Sequence, residues 1–283
     1  MTDAFGPTVA KRRLSRLLAE LRVKNGYTAN QVCDKLNWGR GKVGRFEANA
    51  WKRPEMSDVR DLLRIYEVSE AEREDLEDLA VRARARRWWR EYGDVFGDSE
   101  YPGFEEDAVR ISLYMPLILP GLLQTRAYVE AQATVGNQSA EWQERTLGAR
   151  LRRQEVLSRG GSNRPDLMAV ITEASLLYRW GSQAQRREQV AHLVAMSRQP
   201  GVQIRLLRFE DGLHPGMSSL ISIFDFPGDE PSMVYLENDA GIREVSSSFE
   251  VEPFAGLFGR IRDAALGEAA STAYLKHLAE TLE

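Results

Sequence analysis

Between Thr8 and Lys24 the apolar residues Val9, Leu14, Leu17, Leu18 and Leu21 fall on one face of a helix. Asn25-Gly26 ends that helix, because glycine readily takes the left-handed conformation that closes one. Thr28 then stands where an N-cap is needed, and Gln31 three positions on completes a capping box. A short helix follows with Val32, Cys33 and Leu36 facing inward, then a turn at Asn37-Trp38-Gly39. The next predicted helix, Arg40–Glu47, packs through Val43 and Phe46. Pro54 interrupts, and Val59, Leu62, Leu63, Ile65 and Tyr66 mark a fourth helix. A fifth, predicted over Glu70–Arg90, begins acidic and ends in arginines, the charge order that suits a helix dipole.

Beyond a connector at Glu91–Gly103 the pattern becomes mixed. Helices are predicted over Leu122–Val135, Ser139–Ser158, Glu173–Trp180, Gln185–Ser197, Glu252–Leu266 and Glu268–Leu282. Strands are predicted at Leu167–Ile171, at the alternating Val202, Ile204 and Leu206, and at Ser219–Phe226 and Ser232–Glu237. The last two are joined by a turn at Pro227-Gly228-Asp229, and Gly160–Asn163 reads as a loop. The expected fold class is an N-terminal all-α helix-turn-helix domain followed by a mixed α+β domain, in which helices flank a small sheet of three to five strands. The expected division is a helix-turn-helix domain over 1–70, a helical linker over 71–103 and a regulatory or interaction domain over 104–283.

Charge changes this picture. The 283 residues carry 38 Lys+Arg against 42 Asp+Glu, a small net charge that hides a strong asymmetry. Residues 1–53 hold twelve basic and four acidic side chains, a net of +8, which leaves −12 on the other 230. A basic head on an acidic body fits a nucleic-acid-binding module attached to a second domain. No apolar run reaches the ~18–20 residues of a membrane span, and Met1–Pro7 lacks the layout of a secretion signal. The single cysteine, Cys33, excludes an intrachain disulfide and a Cys-rich zinc module. The expected location is the cytoplasm, with the chain on the nucleoid when bound to DNA.

The two short helices around the Asn37 turn have helix-turn-helix spacing. In such a motif the first helix crosses the DNA backbone and the second enters the major groove. Arg40, Lys42 and Arg45 are the candidate base readers, arginine being suited to guanine because its fork spans O6 and N7. Thr28, Arg12, Arg13, Lys52 and Arg53 are candidate phosphate contacts. One short helix reads few base pairs, so a homodimer on a palindromic operator is expected.

Other groupings carry less. Asp211, His214 and Ser218 are close in sequence, but a catalytic triad is a matter of geometry and no nucleophile-elbow motif is present. His192, His214 and His277 lack paired ligand spacing, so no metal or cofactor is expected, and the chain does not read as an enzyme. Trp88, Trp89, Tyr114, Leu123 and Tyr128 are candidates for a small-molecule effector pocket or a domain interface.

Arg12–Val68, above all LRVKNGYTANQVCDKLNWGRGKVGRFE, resembles an XRE (Cro/repressor-type) helix-turn-helix domain. The remainder resembles the C-terminal domain of WhiJ-like, antitoxin-like regulators of actinomycete bacteria. The segments that carry this are Leu119–Thr125 (LPGLLQT) with Tyr128, Arg150–Leu157 (RLRRQEVL), Ile171–Leu176, Pro200–Ile204 and Met233–Glu237. The resemblance implies a cytoplasmic, sequence-specific transcriptional regulator, often paired with a small protein encoded beside it, and no known catalytic activity. An antitoxin-like role, with the acidic domain binding that small partner, is the alternative. One departure stands out: Gly39, Gly41 and Gly44 occupy positions where the family's recognition helix usually has serines. An interior glycine costs a helix roughly 1 kcal/mol relative to alanine. Close backbone approach to DNA and simple drift are both consistent with the change.

Overall fold

The computed structural model describes residues 6–51, 53–135, 138–161, 164–238 and 241–282. They form two compact units, Met1–Trp88 and Trp89–Glu283. The first is helical: α1 (Pro7–Lys24), α2 (Ala29–Lys35), α3 (Lys42–Glu47), α4 (Met56–Ile65) and α5 (Glu70–Ala83). Pro7 starts α1 at a position where a missing N–H costs nothing. The core joins Leu14, Leu18 and Leu21 of α1 to Val32, Cys33, Val43, Phe46, Leu62 and Leu63, and α5 closes it with Leu76, Leu79, Ala80 and Ala83. The fifth helix therefore ends at Ala83, well short of the predicted Arg90. Ala83 is its last apolar contact with the core, and Arg84 turns its guanidinium to the Pro54 carbonyl instead.

The second unit is built on a mixed sheet of six strands among the described residues: β1 (Arg110–Met115), β2 (Asp166–Thr172), β3 (Val202–Leu207), β4 (Ile221–Asp225), β5 (Met233–Asn238) and β6 (Gly241–Val245). Their order is β3-β2-β1-β4-β5-β6, parallel over the first three and antiparallel over the rest. The expected three to five strands were too few because β1 and β6 gave no strand pattern. Ile111 to Tyr114 are all buried, so β1 lacks alternation. The other, β6, is a short edge strand with Arg243 and Glu244 at its centre.

The expected connector contains two short helices, α6 (Gly93–Phe96) and α7 (Tyr101–Asp107), the second opened by Pro102 and burying Phe104 and Glu105. The helix predicted from Leu122 begins as a 3-10 turn, Gly121–Leu123, and restarts as α8 (Arg126–Thr134), because the Thr125 hydroxyl caps the Tyr128 amide. Then come α9 (Ala140–Gln154), α10 (Glu173–Leu177), α11 (Gln183–Met196), α12 (Ser248–Ala264) and α13 (Glu268–Thr281).

Strand periodicity divides this sheet into two faces. Tyr114, Ile221, Ile223 and Val234 pack with Phe258 and Ile261 of α12. Their neighbours Ser222, Tyr235 and Glu237 point to the other face, since paired residues share a face and successive residues alternate. There Tyr101 and Phe104 of α7 meet Phe224 edge-on at 5.1 Å and tilted at 5.9 Å.

Candidate nucleic-acid interface

The capping box forms as the sequence predicts. Thr28 Oγ1 accepts from the Gln31 amide at 3.2 Å, and Gln31 Oε1 accepts from the Thr28 amide at 2.8 Å. Thr28 is exposed, but its hydroxyl also donates to Gln31, so the groups proposed for phosphate are already in use within the cap.

The second helix of the motif, the expected recognition helix, is shorter than predicted, running from Lys42 to Glu47 with Gly41 as its N-cap. Arg40 therefore precedes the helix, exposed in the turn, rather than opening it. Gly41 has φ 83°, a left-handed conformation that side-chain-bearing residues adopt at a cost. Its glycine is a requirement of the turn, which neither DNA approach nor drift had supplied. Gly44 differs: a Cβ added there meets nothing within 4 Å. Gly44→Ala is expected to stabilise the first unit by about 1 kcal/mol, and Gly41→Ala to destabilise it by about 1–2 kcal/mol. Chemical denaturation of the two variants checks both signs.

Side chains hold α3 firmly. Arg22 of α1 forms a two-pronged pair with Glu47, at 2.6 and 2.9 Å, and donates to the Tyr27 carbonyl at 2.6 Å. The bond to Glu47 raises the Arg22 pKa above its ordinary value, against the opposing effect of burial. At the other end of α3, Lys42 pairs with Asp58 of α4 at 2.7 Å and lies 4.0 Å above the Trp38 ring. Phe46 is flanked by Trp38 and Trp51, and the Trp51 indole donates to Ser15 and to the Phe46 carbonyl.

Val43 and Phe46 are buried as predicted, and Arg45 stands exposed between them. Among the described residues no acceptor takes the Arg45 or Arg40 guanidinium. The Arg45 side chain lies back over the turn, its Nη1 3.7 Å from where a Gly41 Cβ would be. Lys42, also predicted to read bases, has its ammonium committed to Asp58 and Trp38. Arg12 and Arg13 lie half-buried on α1, Arg53 is exposed before Pro54, and Lys52 lies outside the described residues. The Arg22–Glu47 clamp was not foreseen, because its two members are far apart in sequence.

The remaining candidates are dispersed. Tyr114 and Leu123 are core residues, Tyr128 donates no opening but accepts the Leu119 amide at 3.3 Å, Trp89 is buried and Trp88 half-buried. In the Asp211–Ser218 loop, Asp211 is paired with Arg208, and His214 Nδ1 accepts the Gly216 amide at 3.2 Å. Asp211 and His214 thus face different partners.

Residues 13–76, from the middle of α1 to the middle of α5, match the family model described as a helix-turn-helix domain, which supports a DNA-binding regulator. Residues 99–277 match the model described as a domain of unknown function, DUF5753, and the chain belongs to that family. No curated protein and no solved structure matches it.

Proposed function

We propose that the chain is a sequence-specific transcriptional regulator of the XRE type, with a WhiJ-like C-terminal domain, that binds a palindromic operator as a homodimer in the cytoplasm. The observation that carries this reading is the clamped α3 with Arg45 exposed on its outer side, inside a segment of net charge +8. Arg45 and the turn residue Arg40 are the base readers. Lys42 joins them only by leaving Asp58, and Arg12, Arg13 and Arg53 add phosphate contacts. The C-terminal domain acts as the controlling element and performs no catalysis. Its net acidity favours a second reading, an antitoxin-like role in which it binds a small basic protein.

Selection of bound duplexes from a random pool tests the proposal. A twofold motif is expected, with half-sites about 34 Å apart and a complex of two chains by light scattering. A log–log salt slope near −0.9 per neutralised phosphate is expected alongside. Weak binding with no enriched motif would sink the reading and leave the partner-binding role in its place.

A further inference from the structure

The second unit holds a cavity of about 250 Å³ on the face of the sheet opposite α12. Ser222, Tyr235 and Glu237 form its floor, and Ile242 shares the face with its cross-strand partner Glu237. Phe96, Ile118 and Trp142 supply apolar wall, and Arg150 and Arg153 of α9 enter from above the sheet.

The two arginines sit three residues apart on one helix but differ in their partners. Arg153 is neutralised by Glu105, which takes two hydrogen bonds from it at 2.8 and 2.7 Å, and it stacks 5.0 Å from the Tyr101 ring. The hydroxyls nearby also satisfy one another: Tyr101 with Ser222 at 3.2 Å, and Tyr235 with Ser99 at 3.0 Å. Arg150 has no carboxylate in contact among the described residues. Its Nη1 donates to the neutral amide oxygens of Gln124, at 3.1 Å, and of Gln132, and among the described residues Nε and Nη2 have no acceptor. Burial, reinforced by the charge of Arg153 and opposed by Glu237, pushes its pKa down to about 10. A half-buried cation whose hydrogen bonds go only to neutral acceptors gains from an anion brought to it.

We propose that this cavity binds a small singly charged organic acid, its carboxylate seated on Arg150 and its apolar part between Phe96, Ile118 and Trp142. Glu237 on the floor repels a second negative charge, which argues against a nucleotide or other polyanion. The volume lies below the roughly 300–1,000 Å³ of pockets for drug-sized ligands, which favours a compact molecule. The gain in affinity comes from two charge-assisted hydrogen bonds to Nε and Nη2 of a half-buried guanidinium. This inference does not depend on DNA recognition.

A library of small aryl and alkyl carboxylic acids, each paired with its primary amide, is screened against the full chain by ligand-observed NMR without DNA. Acids such as 3-phenylpropionate are expected to bind at least about tenfold more tightly than their amides. Arg150→Gln is expected to erase that preference, with its thermal melt showing that the fold persists. Glu237→Gln, at an exposed side chain, is expected to strengthen acid binding severalfold, and this keeps the test open should the Arg150 variant fail to fold. Absence of any acid among the ligands, equal binding of acids and amides, or an Arg150→Gln protein that still prefers acids would each overturn the assignment.

Discussion

Glu105→Ala is expected to destabilise the second unit by about 3–5 kcal/mol, the cost of leaving one partner of a buried pair unpaired. The Glu105 side chain is 2% exposed and Arg153 only 14%, so the loss of the carboxylate leaves a mostly buried guanidinium without its paired anion. The same guanidinium stacks on Tyr101 beside the cavity, and the substitution leaves it next to the like charge of Arg150 with only Glu237, among the described residues, as a more distant anion. Against a total stability of roughly 5–15 kcal/mol the effect is large, a fall in melting temperature of roughly 10 °C for a unit of this size. Urea unfolding, followed by a probe of the second unit, measures it. Adding Arg153→Met to Glu105→Ala is expected to recover most of the loss, because the desolvation cost disappears with the charge. A single variant as stable as the parent would show that the pair contributes nothing.

Arg45→Ala is expected to weaken binding to the selected duplex by about 1–3 kcal/mol, roughly tenfold to a hundredfold in Kd, and to relax the sequence at one position of each half-site. Arg45 has the exposure of a base reader and the rigid mounting that makes one specific. The Arg22–Glu47 pair fixes the C-terminal end of α3, and Lys42 with Asp58 and Trp38 fixes the start. Arg40→Ala is expected to fall in the same range, reading from the turn. Arg53→Ala is expected to weaken binding to all duplexes alike and to flatten the salt dependence, as loss of a phosphate contact does. Fluorescence anisotropy over a salt series separates these outcomes, since base readers change specificity and phosphate contacts change the slope.

The parts legible in the sequence were those set by near neighbours. The capping box at Thr28 and Gln31 lies within four residues, and Val43 and Phe46 announced the inner face of α3 by helical spacing alone. The length of α3 was not legible, because the left-handed Gly41 is imposed by the turn that joins two packed helices. Strand β1 was hidden by burial of both its faces, and β6 by its charged centre and edge position. The cavity was legible only as a neighbourhood: the candidates Tyr114, Leu123 and Tyr128 do not line it, but Met115, Ile118, Leu119, Gly121 and Gln124 beside them do. Its members come from α6, α7, the segment 115–124, α9, β4, β5 and β6, which only the fold brings together. One signal was present in RLRRQEVL, where Arg150 and Arg153 share a helix face three residues apart.

The most direct measurement is parallel selection from one random duplex pool with the parent chain and with Arg45→Ala. The expected result is a twofold motif from the parent and the same motif from the variant, with one position in each half-site degenerate. Two identical motifs would contradict the assignment of α3 as the helix that reads the operator.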